Sequence, residues 1–192
     1  MTTIGILALQ GGFRQHAKHL DACQVSWRYV KQPHELTGID GLILPGGESS
    51  ALLKLMQPHD WLQQLRDYAH QGGAVFGTCA GMILLAEQVS PQQDALGLLP
   101  IHVDRNAYGR QLESFVDQGT LDLPEQPNAS FDMVFIRAPR IPHISPEVTV
   151  LARHTTVPTL VQHQRVLAAS FHPELSQDTR LHRYFCALAS QQ

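Results

Sequence analysis

A single cysteine stands between two glycines at Gly77-Thr78-Cys79-Ala80-Gly81, after the apolar run Ala74-Val75-Phe76 and before Met82-Ile83-Leu84-Leu85-Ala86. That order predicts a strand, a sharp turn and a helix, with Cys79 at the turn. A strained strand-to-helix turn lifts a reactive side chain clear of a sheet, which would make Cys79 a nucleophile. The glycines leave room that a Cβ would fill. The helix start offers free N–H groups and the positive end of a dipole, both of which favour thiolate over thiol. A packing cysteine in a βα unit would carry the same short pattern, because free cysteine is among the most buried residue types.

A cysteine nucleophile needs an imidazole within reach and a third group to orient it. Phe171-His172-Pro173-Glu174 supplies both. In an extended segment residues i and i+2 share a face, so the spacing predicts His172 and Glu174 side by side. Pro173 fixes its own φ and biases His172 toward extended geometry. Glu174 would accept the imidazole N–H, set the tautomer and stabilise an imidazolium. Alone, His-Pro-Glu also suits a surface turn with an incidental ion pair. Pro45-Gly46-Gly47-Glu48-Ser49 is the third element. Its backbone N–H groups can come close enough to a ligand to form an oxyanion hole or clamp a carboxylate. As a plain strand-to-helix turn it would use Ser49 or Ser50 as N-cap.

The elements that must position these residues alternate over the first half. Thr3–Leu9, Val25–Val30, Gly41–Leu44 and Ala74–Phe76 read as strands. Phe13–Ala22, Ser50–Met56, Trp61–Gln71 and a segment from the elbow to about Gln88 read as helices. Such βα repetition predicts an α/β, doubly wound, mostly parallel sheet with helices on both faces. Ligands of such sheets sit at the carboxyl ends of the strands, where both glycine turns fall. The second half reads as short strands at Ile101–Arg105, Glu113–Leu121, Asp132–Ile136, Val148–Ala152, Thr159–Gln162 and Val166–Ser170. These predict antiparallel hairpins added to the parallel sheet, and a closing helix follows over Thr179–Ala189. No repeat or linker divides the chain, so one domain over residues 1–192 is expected.

At 192 residues, 43 % hydrophobic and 16 % charged, the chain has the length and composition of one globular domain with a sizeable core. A formal charge of −3 without a basic cluster argues against nucleic acid. No apolar run approaches the roughly 20 residues that span a bilayer. Met1-Thr2-Thr3 leads straight into a strand-like segment, so no export leader is expected. Cys23, Cys79 and Cys186 are odd in number and far apart, which speaks for a reducing cytoplasm and against a disulfide framework or zinc site. Cys23 and Cys186 read as packing residues. No histidine forms a metal-type pair beside a carboxylate, and His16 and His19 read as solvated neighbours on one helix face.

Elbow, His-Pro-Glu and glycine loop together resemble the class I (triad) glutamine amidotransferases over essentially the whole chain. The likeness sharpens at six segments. They are Leu7-Ala8-Leu9-Gln10-Gly11, Leu44–Ser50, Phe76–Met82, Asp104-Arg105-Asn106-Ala107-Tyr108-Gly109-Arg110-Gln111, Phe135-Ile136-Arg137-Ala138-Pro139 and Ser170–Leu175. Together these are similar to the glutaminase subunits of pyridoxal 5′-phosphate synthase. Gly12-Phe13 and the hairpin Thr155–Gln164 depart from that family's pattern.

The resemblance implies a flavodoxin-like fold and hydrolysis of L-glutamine to L-glutamate and ammonia through Cys79, His172 and Glu174, with a thioester intermediate and no cofactor. It assigns the oxyanion hole to the N–H of Ala80 with that of Gly46 or Gly47. Glutamine binding goes to Gly47, Glu48, Ser49, Arg105, Ile136 and Arg137. Either arginine can fork onto the α-carboxylate, and Glu48 suits the ammonium or anchors its own loop. It also implies a (β/α)8-barrel synthase subunit as partner in a large hetero-oligomer, with Gln10 and Gly11 near the docking face. Two competing readings are the glutaminase subunit of another synthase, such as imidazole glycerol phosphate synthase, and a non-catalytic α/β regulatory module. A cysteine-elbow hydrolase or chaperone would instead take its histidine from just after the cysteine, where Ala80 and Gly81 stand.

Overall fold

A computed structural model describes residues 1–105 and 114–191. Asn106–Gln111 of the arginine-asparagine segment, and Glu113 as a strand start, lie outside the described residues. The strands are β1 (Thr3–Leu7), β2 (Ser26–Val30), β3 (Gly41–Leu44), β4 (Ala74–Thr78), β5 (Ala86–Ser90), β6 (Leu99–Asp104), β7 (Ser114–Leu123), β8 (Gln126–Ile136), β9 (Arg140–Ile144), β10 (Thr149–His154), β11 (Val157–His163) and β12 (Val166–Ala169). The helices are α1 (Phe13–Ala22), α2 (Ser49–Met56), α3 (Trp61–His70), α4 (Ala80–Leu85) and α5 (Arg180–Ser190).

Nine strands form one sheet in the order β2-β1-β3-β4-β12-β11-β10-β7-β8. The first five run parallel. From β12 onward each neighbour is antiparallel. The expected α/β architecture is therefore present, with its parallel half and its added antiparallel strands. The short apolar runs become central strands because both faces are covered. Ile4, Ile6, Ile43, Phe76 and Leu167 pack on one side with Leu20 of α1 and Phe185 of α5. Leu7, Leu42, Leu44, Val75 and Ala168 alternate to the other side, against Leu52 of α2, Leu65 of α3 and α4.

Several expectations need correction. The helix after the elbow stops at Leu85 instead of continuing to Gln88, and Ala86–Ser90 is a strand. Ala86 turns to an extended conformation (φ −61°, ψ 152°), and the carbonyls of Leu84, Leu85 and Ala86 accept from the N–H groups of Leu96 (2.7 Å), Leu98 (3.1 Å) and Gly97 (3.1 Å), which tie the helix end to the returning chain. β5 pairs with β6, and β6 with β9, in a second sheet of three strands that the sequence pattern does not announce. The atypical segment Thr155–Gln164 forms the turn and second strand of the β10–β11 hairpin, with Thr155 at φ 55°. Among the described residues no helix is long and apolar enough to cross a membrane. A cavity of about 620 Å³ at the amino ends of β3 and β4 includes Asp40, Tyr68 and Arg165, and it lies at the opposite end of the sheet from the residues singled out above. Arg165 donates there to the carbonyls of Ala189 and Gln191, so this is where the closing helix is anchored.

Candidate active site

The carboxyl ends of β1, β3, β4, β8 and β12 bring Gln10, the glycine loop, Cys79, Ile136 and His172 to one edge of the sheet. β4 and β12 are hydrogen-bonded neighbours with Thr78 opposite Ala169. The residues that leave these two strands, Cys79 and His172, therefore start side by side. Cys79 adopts φ 49°, ψ −103°, a conformation an L-residue occupies only under constraint. Its N–H donates to Ala169 O at 2.8 Å and its carbonyl accepts from Ile83 N–H at 3.2 Å, which hold the elbow from both sides. Gly81 permits it: a Cβ there would run into the carbonyl oxygen of Leu44 on β3.

His172 Nδ1 lies 2.7 Å from Glu174 Oε1, and the ring is coupled to Cys79 by hydrogen bonding and charge. All three residues are buried. The local geometry differs from the expectation. Pro173–Leu175 forms a turn of 3-10 helix, and the turn, not an extended segment, swings Glu174 back to its histidine. A carboxylate only accepts, so Nδ1 carries the proton and Nε2 faces the sulfur. Burial by itself would lower His172, but hydrogen bonds and charge from Cys79 and Glu174 outweigh it and raise the imidazole to about 10. Burial would raise Glu174, yet the imidazoles of His16 and His172 hold it below its ordinary value. Burial pushes the Cys186 thiol up to about 12, in keeping with a packing role.

The glycine loop packs directly on this pair. A Cβ on Gly46 would sit 2.5 Å from His172 Cε1 and 3.3 Å from Cys79 Cβ. Gly46 N–H donates to Thr78 Oγ1 at 3.1 Å, and Gly46 O accepts from Gly12 N–H at 3.2 Å. Gly11 lies against the same carbonyl. Gln10 covers Gly47 and donates through Nε2 to Glu48 O at 2.9 Å. The carboxylate of Glu48, and neither serine, caps α2, accepting from Ser50 N–H (3.0 Å) and Ala51 N–H (2.6 Å). Ser49 is buried and donates to Gln93 Oε1 at 2.9 Å. Arg105 Nη1 reaches the same oxygen at 2.7 Å and Ser50 Oγ at 2.9 Å. Gln93 thus ties two expected glutamine-binding residues together, and no motif in the sequence marks it. The Ile136 carbonyl lies 4.0 Å from Cys79 Sγ, and Arg137 follows it, exposed, at φ 46°.

His16 and His19 are not solvated. His16 is fully buried, His19 nearly so, and His182 of α5 is buried against them. The face of α1 that carries Ala17 and Leu20 also carries both histidines into the protein. Desolvation holds His16 neutral and lowers it to about 4. These shifts predict a stability maximum near neutral pH. His172 is raised, so its contribution is complete below about pH 6.5 and fades as pH rises toward 10. His16 is lowered, so its contribution is complete above about pH 6.5 and fades as pH falls to 4, a loss on the order of 3 kcal/mol. Urea midpoints measured from pH 4 to 10 should fall away on both sides of neutrality, and a midpoint that is flat between pH 7 and 5 contradicts the buried neutral histidine.

The arrangement brings a buried thiol, an imidazole held by a carboxylate, and a glycine loop against one another. The pyridoxal 5′-phosphate synthase subunit PdxT of Deinococcus radiodurans is 46 % identical over 98 % of both chains. The subunit of the same name from Desulforamulus reducens is 47 % identical over 95 % of this chain and 96 % of its own. A crystal structure of a glutamine amidotransferase superposes with a TM-score of 0.90 at 44 % identity, covering 97 % of this chain and 98 % of that one. The profile of one family matches residues 6–190. With identity of this level along nearly its whole length, the chain belongs to the SNO glutamine amidotransferase family.

Proposed function

We propose that the chain, acting as one glutaminase domain, hydrolyses L-glutamine to L-glutamate and ammonia and passes the ammonia to a pyridoxal 5′-phosphate synthase subunit. The observation that carries the reading is the strained Cys79 elbow facing a histidine that Glu174 holds at 2.7 Å. With His172 raised to about 10, the thiol proton already rests on its Nε2, and the thiolate so formed attacks the side-chain amide carbon. The tetrahedral oxyanion is met by the N–H of Ala80 and, of the two glycines, by that of Gly47, because Gly46 N–H is already given to Thr78. His172 returns its proton to departing ammonia and then activates water to cleave the thioester.

Gly47, Glu48, Ser49, Arg105, Ile136 and Arg137 form the glutamine site in this reading. Arg105 is engaged by Ser50 and Gln93 and braces the loop. Arg137, exposed beside the cysteine, suits the α-carboxylate. Ammonia protonates and diffuses in water, so such an activity is useful only when docked. The relatives' name supports a synthase partner, and we assign to it the (β/α)8-barrel subunit and the hetero-oligomer that the sequence likeness implies, in a cytoplasmic setting. Gln10 and Gly11 are placed at its docking face because they lie over the glycine loop at the edge where glutamine must enter.

Glutamate release is measured with the chain alone and then with the synthase subunit added. Strong stimulation is expected, and equal rates with and without partner count against the reading. Gln10→Ala removes the bond to Glu48 O, and the stimulated rate should fall about tenfold or more if the partner acts through this loop. An unchanged stimulated rate in Gln10→Ala removes Gln10 from the interface.

A further inference from the structure

A file of buried histidines lies directly beneath the triad and is not used by the reaction just described. His16 Nε2 is 3.5 Å from Glu174 Oε2 and 3.2 Å from Thr78 Oγ1, and its Nδ1 is 2.9 Å from His182 Nε2. Glu174 Oε2 is buried and makes no hydrogen bond among the described residues, and His16 Nε2 is the imidazole nitrogen that approaches it. His19 packs on His182 with ring centroids 4.3 Å apart and the planes tilted by 31°, and its Nδ1 faces Gln15 O at 3.1 Å.

One placement of protons satisfies the file. Each neutral ring carries one N–H and one bare nitrogen. If His16 bore its proton on Nδ1, its bare Nε2 would point at a buried carboxylate oxygen, lone pair against negative charge. His182 would then receive that proton at Nε2 and keep its own N–H on Nδ1, which is buried with no acceptor. The reverse arrangement removes both faults. His182 Nε2–H donates to His16 Nδ1, and His16 Nε2–H is directed at Glu174 Oε2 and Thr78 Oγ1. The orphaned His182 Nδ1 is then only a bare acceptor. Titratable groups facing His16 are Glu174 and His172 from the segment after β12, His19 on its own helix and His182 on α5.

We propose that His16, with its tautomer set by His182, is a positioning residue of the glutaminase reaction, holding the oxygen of Glu174 that faces away from His172. It rests on the triad reading above. Thr78 Oγ1, which takes both Gly46 N–H and the His16 ring, extends the same tie to the glycine loop. A carboxylate held at both oxygens keeps His172 aimed at the sulfur, and a neutral donor does so without adding a competing charge. The depressed basicity of His16 agrees with that neutral form.

Two measurements test it. Long-range 1H–15N spectra of the 15N-labelled chain at neutral pH should show His16 protonated at Nε2 and bare at Nδ1; the opposite tautomer overturns the proposal. In the complex with the synthase subunit, His16→Leu should lower kcat about tenfold or more with KM nearly unchanged, and should move the acid limb of kcat/KM to higher pH as Glu174 becomes easier to protonate. His16→Gln places an amide N–H near the Nε2 position and should restore both. A role in packing alone would leave the limb in place and make the two variants equally impaired. Either that outcome or a His16→Leu enzyme with wild-type kcat overturns the proposal. Should His16→Leu not fold, His16→Asn, whose amide reaches only the Nδ1 position, replaces it in the same comparison. If the wild type and Cys79→Ala release glutamate equally, the triad reading fails first, and the spectra still report the tautomer.

Discussion

Cys79→Ala should reduce glutamate release from glutamine by about ten-thousandfold or more in the synthase-stimulated assay, because losing a nucleophile removes the covalent route and leaves only binding and oxyanion stabilisation. Glutamine binding should persist, since no residue assigned to it is touched. The variant should also fold. Cys79 N–H and its carbonyl keep their partners Ala169 and Ile83, and alanine makes the same backbone bonds. Its φ of 49° stays strained for any residue with a Cβ. Cys79→Gly is therefore expected to be more stable than wild type by about 1 kcal/mol or more while equally inactive, a direct sign that the elbow stores strain for the sake of the sulfur's position. Residual activity of a few per cent in Cys79→Ala, with contamination excluded, would sink the covalent mechanism.

Gly46→Ala is the second large effect. The new methyl would meet His172 Cε1 at 2.5 Å, His172 Nδ1 at 3.0 Å and Cys79 Cβ at 3.3 Å. The loop cannot simply retreat, because Gly46 is pinned at both ends, through its N–H to Thr78 and through its carbonyl to Gly12. The imidazole must yield, and it can do so only by leaving the 2.7 Å bond to Glu174 or the line to the sulfur. A base displaced by about an ångström costs on the order of a hundredfold in kcat, whereas overpacking of this kind costs roughly 1–3 kcal/mol of stability. The expected phenotype is a folded protein with a slightly lowered Tm and a kcat reduced far more than KM is raised. Steady-state kinetics within twofold of wild type would show that the loop has more freedom than its two hydrogen bonds suggest.

The parts of this protein written in contiguous residues are legible in the amino-acid sequence itself. Gly41–Leu44 and Phe13–Ala22 stand where their apolar spacing puts them, because a run buried on both faces and an amphipathic helix each leave a local record. Cys79 and the His172–Glu174 pair are legible for the same reason. What escapes the sequence depends on distant partners. α4 stops at Leu85, where residues 96–98 return to bond the carbonyls of Leu84, Leu85 and Ala86. Arg140–Ile144, with Pro142 and His143 inside, lacks the apolar alternation of a strand and becomes one by pairing with β6. His16 reads as solvated because polarity is its only local signal; its burial follows from α5 closing over α1. That Gly46 N–H is already donated is equally hidden, since its acceptor is a hydroxyl, Thr78 Oγ1, contributed by the next strand.

β12 is the seam of the nine-stranded sheet, parallel to β4 on one side and antiparallel to β11 on the other. The ladder between β4 and β12 sets where the segments carrying Cys79 and His172 begin, and main-chain bonds from Cys79 N–H to Ala169 O and from His172 N–H to Val134 O hold the two residues in place. Everything beyond β11 hangs from the outer side of that seam. The exposed turn Pro124-Glu125 at the tip of the β7–β8 hairpin lies at the far end of this appendage, away from the Ile136 end that meets the cysteine. A reporter peptide or a fusion partner can therefore be grafted into that turn, giving a labelled enzyme whose reactive centre keeps its dimensions.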